Sequence, residues 1–348
     1  MIFIRILLFP FSVVYDAITR FRNHLFNIGN KPSFKFETNV IGVGNLSVGG
    51  TGKTPMVEYI IRLLLKNYEL ATLSRGYGRK TKGFRVADEN DTPTSIGDEP
   101  YQIFHKFEKV HVTVGEERAL AIPEILHQFP ENDVIVLDDA FQHRYVKPNL
   151  NILLTDYHNP FFNDYVLPTG KLREARNGVK RADIVVITKC PKDLIEEKKL
   201  HFVKKTANYK GNDKNIFFSS IAYDEPLAIN HKMELCDNIL LFSGIANNHS
   251  LKTFVSKNYN LLNTISFPDH YSYTVNDMKK IVNNYKQLSR DRPCSILTTE
   301  KDMVKLNSPE IKEQIKGIPL FYLPIQTIFL ENGEIFDSIV LNSIQTKR

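Results

Sequence analysis

The sequence predicts an α/β protein: a mostly parallel sheet domain, a second and smaller α/β domain, and an amphipathic helix at the N-terminus. Three observations carry this. Short apolar runs alternate with helical stretches along the chain, as parallel strands alternate with crossover helices. A glycine-rich turn joins the first such run, Val40, Ile41 and Val43, to a helix expected over 56–66. With 348 residues the chain exceeds one ordinary core, so two domains are expected.

The N-terminal run Met1-Ile-Phe-Ile-Arg-Ile-Leu-Leu-Phe-Pro-Phe-Ser-Val-Val-Tyr15 is apolar but broken by Arg5 and Pro10. It falls short of the ~20 apolar residues a membrane span requires. Ile18, Phe21, Leu25 and Phe26 continue it at helical spacing, with Arg5, Arg20, Arg22, Lys31 and Lys35 set against Asp16. Apolar and basic residues interleaved in this way suit a helix lying on an anionic leaflet. A terminal helix packed on its own domain explains the same pattern. Residues 1–35 are therefore read as a membrane-associated segment, 36–220 as the sheet domain and 221–348 as the smaller domain. The second boundary follows a Lys- and Asn-rich stretch over 196–214.

The turn after the first strand reads Ser47-Val48-Gly49-Gly50-Thr51-Gly52-Lys53-Thr54. Strand, glycine turn and helix are what a phosphate-binding loop needs, because turn amides and a helix N-terminus converge on phosphate oxygens. Lys53 is expected to reach the β/γ-phosphates of a nucleotide, and the Thr54 hydroxyl to ligate Mg²⁺. The common pattern has Gly at the first position, where this chain has Ser47.

Further strands are expected at 69–74, 109–114, 133–138, 151–155 and 182–187. Their C-terminal ends should line the ligand crevice of a parallel sheet. Arg75 and Arg79 follow the first of them and either face phosphate or form a solvated basic turn. Asp138 and Asp139 end the apolar run Val134–Leu137, the arrangement in which an acidic side chain holds Mg²⁺ beside a phosphate loop. Gln142 and His143 follow in the same crevice. Gly97-Asp98-Glu99-Pro100 puts two carboxylates at a helix start, where capping and general-base roles both remain open. Lys171, Arg173 and Arg176 surround Glu174 in a basic loop placed to meet an anionic head group. Past 220, strand segments are expected near 238–242, 265–270, 295–299 and 320–323, with helices over 275–288 and 302–316.

Composition excludes other classes. A net charge of +6 is too weak to indicate nucleic acid, and no nucleic-acid motif is present. The three cysteines, Cys190, Cys236 and Cys294, show no metal or disulfide spacing.

Taken together, the motifs resemble the tetraacyldisaccharide 4′-kinases, the lipid A 4′-kinases. The resemblance rests on Asn45–Pro55, Leu73–Gly78, Gly97–Pro100, Asp138–Arg144, Leu167–Glu174, Phe267–His270 and Thr299–Asp302, in the family's order. Departures are Thr169-Gly-Lys171 for the usual Ala-Gly-Pro, Ala140 for Gly, and Tyr271 where a second His is frequent. The resemblance implies transfer of the γ-phosphate of ATP, with Mg²⁺, to the 4′-hydroxyl of an acylated glucosamine disaccharide 1-phosphate. It also implies a peripheral enzyme on the cytoplasmic face of a bacterial inner membrane. Asp98 would be the base and His270 its partner, with Lys53 on the phosphates; their separation in sequence predicts one residue from each domain. Arg75, Gln142, His143, Arg173 and Glu174 are the expected substrate contacts. The competing classes are a P-loop GTPase or ATPase switch and a P-loop kinase of a soluble metabolite. Thr188-Lys-Cys-Pro191 lacks the Asn and Asp of a guanine-reading motif, and the apolar N-terminus has no use in the second class.

Overall fold

The computed structural model describes residues 2–229 and 233–345. Contacts divide the chain into two compact units. The first comprises residues 1–89, 103–222 and 326–348. Its nine-stranded sheet runs, edge to edge, through Ile325–Phe329, Ile216–Tyr223, Ile184–Thr188, Leu150–Asp156, Asn39–Asn45, Val134–Leu137, Leu70–Ser74, Val110–Val114 and Arg85–Val86. The pairings from Ile216–Tyr223 through to Val110–Val114 are parallel, and Arg85–Val86 is antiparallel at the edge.

Strand β1 (Asn39–Asn45) lies near the sheet's centre and is buried at every position, as a strand covered on both faces must be. Its alternation sorts the two layers. Ile41 and Val43 pack with Met56, Val57, Ile60, Ile61 and Leu64 of the helix Lys53–Leu64. Val40 packs on the opposite face with Ala121, Ile122 and Ile125 of the helix Arg118–Gln128.

The second unit comprises residues 90–102 and 223–325. Its five-stranded sheet runs Asn260–Ser266, Asn238–Ser243, Ser295–Thr299, Leu320–Leu323 and Leu227–Ala228, parallel except for the last. Its core is built from Leu240, Phe242, Met278, Ile281, Ile296 and Leu320 on one face.

Two segments depart from a division at residue 220. Residues 326–348 return to the first unit, because the helix Gly333–Asn342 buries Phe336 and Val340 fully in the core that holds Ile41 and Ile60. The Tyr59 hydroxyl donates to the Asp337 carboxylate at 2.8 Å and ties that helix down. Residues 90–102 belong with the second unit, where Asn307 donates to the Tyr101 hydroxyl.

The N-terminal helix α1 (Ile2–Asn27) has two unlike sides. On one, Ser12 and Phe26 are buried. On the other, Leu7, Phe11, Val14, Ile18 and Phe21 are about 60–67 % exposed, so an apolar stripe lacks a protein cover. Met1, the first residue of the N-terminal segment, lies outside the described residues. Among the described residues no helix is long and apolar enough to cross a membrane.

Phe336→Ala is expected to cost about 3–5 kcal/mol in urea denaturation, as a large buried truncation does. Ile335→Ala on the exposed side of the same helix should stay within about 0.5 kcal/mol of the wild type.

Candidate active site

The phosphate turn leaves β1 at Asn45, whose side-chain amide donates to the Thr51 hydroxyl at 2.7 Å and spans the turn. The Val48 amide donates to the Lys171 carbonyl at 2.8 Å, so the Leu167–Glu174 loop is paired with the turn. Gly52 caps the helix Lys53–Leu64 in the left-handed region at φ 80°, which a side chain would strain. Thr54 therefore falls in the first helical turn, where unpaired amides face the end of β1. The Thr188 hydroxyl donates to the Thr51 carbonyl at 2.9 Å. Lys189 donates to the Gly50 carbonyl and pairs with Asp156 at 2.8 Å. These two braces come from the end of Ile184–Thr188, to which the sequence reading assigned no role.

Asp138 and Asp139 stand at the end of Val134–Leu137. The Asp139 carboxylate meets Arg173 at 2.8 and 3.0 Å and Lys53 at 3.5 Å. Burial raises its pKa, but Lys53, Arg173 and Arg118 outweigh that and hold it below the ordinary aspartate value. The Asp138 side chain accepts from the Asp139 amide at 2.8 Å. Arg118 was missed in the sequence because it follows Gly115-Glu-Glu117 as one more charge in a polar run. In the fold it is 3 % exposed, and its guanidinium donates to the carbonyls of Asp138 at 2.8 Å and Asp139 at 3.3 Å. These bonds support a backbone in which Asp139 has φ 47°.

The predicted substrate contacts separate into two kinds. Gln142 donates to the Asn45 carbonyl at 2.8 Å, and its own side-chain oxygen accepts from Arg173. His143 is pushed down to about 4 by burial and by Arg118, Arg22 and Arg75, so it is neutral at physiological pH. Arg75 is exposed and Arg173 partly so. Glu174 is a correction. It is 3 % exposed and takes a two-pronged bond from Arg181 at 2.7 and 2.9 Å, with further bonds from Asn23 at 2.8 Å and Gln142 at 3.1 Å. Its oxygens are filled by protein donors, so it organises the loop rather than meeting a ligand. Arg79 is a second correction, since its side chain is buried and bound to Glu116 and the Gly83 carbonyl.

Asp98 and His270 lie in the same unit, not one in each as their separation suggested, because residues 90–102 fold with 223–325. His270 Nδ1 is 3.4 Å from Asp98 Oδ2, and Lys305 Nζ is also 3.4 Å from that oxygen. Burial raises the Asp98 carboxyl, but the His270 hydrogen bond and the Lys305 charge reverse this and leave it below the ordinary value. His270 has φ 55°, a backbone state uncommon outside glycine.

The hydroxyl of Thr54 and the carboxylates of Asp138 and Asp139 are hard oxygen donors that suit Mg²⁺. Among the described residues no three His, Cys, Asp or Glu side chains converge as a metal cage. A magnesium ion shared with nucleotide phosphates needs only one or two carboxylates.

A parallel sheet with a Gly-rich loop, a following Lys-Thr and an acidic pair at a strand end define a P-loop nucleotide-binding protein. The family model described as tetraacyldisaccharide-1-P 4′-kinase, LpxK, matches residues 4–345. The chain belongs to that family. Relatives named tetraacyldisaccharide 4′-kinase include one from Flavobacterium johnsoniae, 43 % identical, covering 98 % of each chain. Another, from Flavobacterium psychrophilum, is 40 % identical over 99 % of this chain and 98 % of its own. A crystal structure of LpxK from Aquifex aeolicus, described as in complex with ATP, superposes with a TM-score of 0.75 at 29 % identity, covering 98 % of this chain and all of that one. The protein is thus a kinase of lipid A biosynthesis that phosphorylates the 4′-hydroxyl of its acylated disaccharide in an ATP-dependent reaction.

Glu174→Gln should lower folding stability by roughly 2–4 kcal/mol, since it leaves Arg181 poorly paired in a half-buried site. An unchanged melting temperature with a raised KM for the lipid would return Glu174 to the list of ligand contacts.

Proposed function

We propose that Asp98, paired with His270, takes the proton of the 4′-hydroxyl as that oxygen bonds to the γ-phosphorus of ATP. The bridging P–O bond breaks, and ADP leaves with its electron pair. Phosphoryl transfer has a loose transition state, so positioning and charge neutralisation dominate catalysis. Lys53 and the amides of 47–54 hold the nucleotide phosphates. Mg²⁺, held by Thr54 with Asp138 or Asp139, would offset charge on the β- and γ-oxygens. Asp139 also pairs with Lys53 and Arg173, which holds both cations beside the phosphate turn. The observation that carries the reading is the Asp98 carboxylate 3.4 Å from His270 Nδ1, a pairing that orients it to accept a proton.

Arg75 and Arg173, with neutral His143 and Gln142 between them, form a cationic surface suited to the anionic head of a disaccharide 1-phosphate. A cleft of about 350 Å³ runs along α1, lined among others by Phe9, Val13, Tyr165, Val166, Leu172 and Tyr209. Its apolar lining suits an acyl chain, and Asp16, Arg20, Asp164 and Arg176 line it as well. The helix is stitched to the loops that supply these groups: Tyr15 donates to the Arg173 carbonyl at 3.1 Å and Arg22 to the Gln142 carbonyl at 3.0 Å. Its uncovered stripe would rest in the cytoplasmic leaflet of the inner membrane, where the lipid is met.

Asp98→Asn is expected to lower kcat by about 10²-fold or more, with ATP binding retained, in transfer of labelled γ-phosphate to the acylated disaccharide 1-phosphate in detergent micelles. Near-normal turnover would remove Asp98 as the base. Ile18→Asp with Phe21→Asp should reduce sedimentation with anionic vesicles roughly several-fold at an unchanged melting temperature. Unaltered sedimentation would sink the peripheral membrane reading.

A further inference from the structure

The proposed base is flanked by two lysines, Lys301 and Lys305, to which neither the motifs nor the family membership assigned a role. Lys305 has a side chain only 6 % exposed, yet its ammonium makes no hydrogen bond of ordinary geometry. It lies 3.4 Å from Asp98 Oδ2 and 3.8 Å from Asp302 Oδ1. Asp302 is wholly buried and already holds the Gly244 amide at 2.9 Å and the Thr299 hydroxyl at 2.7 Å on its other oxygen. Removing an ammonium from water costs several kcal/mol unless anions compensate. Here the nearer anion is Asp98.

Lys301 lies on the far side of His270. Its ammonium is 3.1 Å from Asp269 Oδ1 and 3.2 Å from His270 Nε2. An ammonium has three donors and no acceptor. The short contact therefore places the ring lone pair on Nε2 and the proton on Nδ1, the nitrogen that faces Asp98. Lys301 thus selects the tautomer in which His270 donates toward the carboxylate.

We infer that Lys301 and Lys305 are positioning residues for phosphoryl transfer: Lys305 keeps Asp98 ionised, and Lys301 holds His270 in the tautomer that donates to it. The inference rests on the reading of Asp98 as the base. The charged and titratable groups around Asp98 are His270 and Asp269 from the loop after Asn260–Ser266, and Lys301, Asp302 and Lys305 from residues 300–306. Tyr273 lies beside Asp302, and Glu99 is next on the helix of Asp98 itself. Lys305 is the cation whose charge acts directly on the carboxylate, alongside the His270 bond.

The sign of the effect follows. A base works only when ionised, and loss of a neighbouring cation raises a carboxyl pKa. In the full-length enzyme at saturating ATP and Mg²⁺, Lys305→Met should move the acid limb of kcat to higher pH by roughly one unit or more. Lys305→Arg should restore the limb. If the Met variant does not fold, Lys305→Gln is measured against the same criterion. An acid limb that superimposes on the wild type overturns the inference even if kcat falls uniformly, because Lys305 would then serve only the packing around Asp302. For Lys301, ¹⁵N spectra of the wild-type His270 ring should show the Nδ1–H tautomer, and Lys301→Met should produce a mixture. A wild-type ring protonated at Nε2 in its neutral form overturns that half. Asp98→Asn separates the two levels. Near-normal turnover in that variant removes both the base and the inference. Lost turnover with an unmoved Lys305→Met profile removes the inference alone.

Discussion

A close backbone crossing governs the first unit. A Cβ on Gly44 would stand 2.7 Å from Phe141 Cβ and 2.8 Å from its amide nitrogen, closer than packed atoms allow. The Ala140 amide donates to the Val43 carbonyl at 3.1 Å at the same place. The acidic turn can therefore lie directly against the strand that ends in the phosphate turn. That approach brings the acidic turn beside the phosphate turn, where Lys53 meets Asp139 at 3.5 Å. The glycine is silent in any motif reading of the nucleotide loop, yet it sets the distance on which the electrostatics depend.

Charge balance shapes what surrounds this crossing. Lys53 and Arg173 pair with the Asp139 carboxylate at 3.5 and 2.8 Å, and Arg118 donates to the Asp138 carbonyl at 2.8 Å. Such preorganisation costs stability in the free protein and reduces reorganisation during reaction. Glu174 plays the opposite part. As an anion saturated by Arg181, Asn23 and Gln142, it joins α1, the loop before Ile184–Thr188 and the acidic turn into one hydrogen-bonded node. A helix with an uncovered apolar stripe is thereby anchored to the groups proposed to read the lipid head.

The second unit repeats the theme. Asp98, His270, Asp269, Asp302, Lys301 and Lys305 form a small set of alternating charges at the mouths of Asn260–Ser266 and Ser295–Thr299. Asp302 and Lys305, the buried members, persist because each has an opposite neighbour. The left-handed backbone of His270 adds a local cost that the packing around it must offset.

Local rules were sufficient for much of this. Strand alternation, the glycine turn before Lys53 and the acidic pair after Val134–Leu137 are short-range patterns, set by backbone sterics and burial period, and they were legible in the chain. Partnership was not legible, because it depends on which distant segments share a core. Phe336 and Val340 look the same in sequence whichever sheet they cover, and only packing assigned them to the first. Asp98 and His270 came together because residues 90–102 found their burial in the second unit. Glu174 was an expected substrate contact and Arg118 had no assigned role until their neighbours removed them from water. The sequence by itself determined the strand-turn-helix units and the chemistry they carry. The tertiary structure decided which charges compensate one another, because a charge's role depends on its distance to partners and on the solvent left around it.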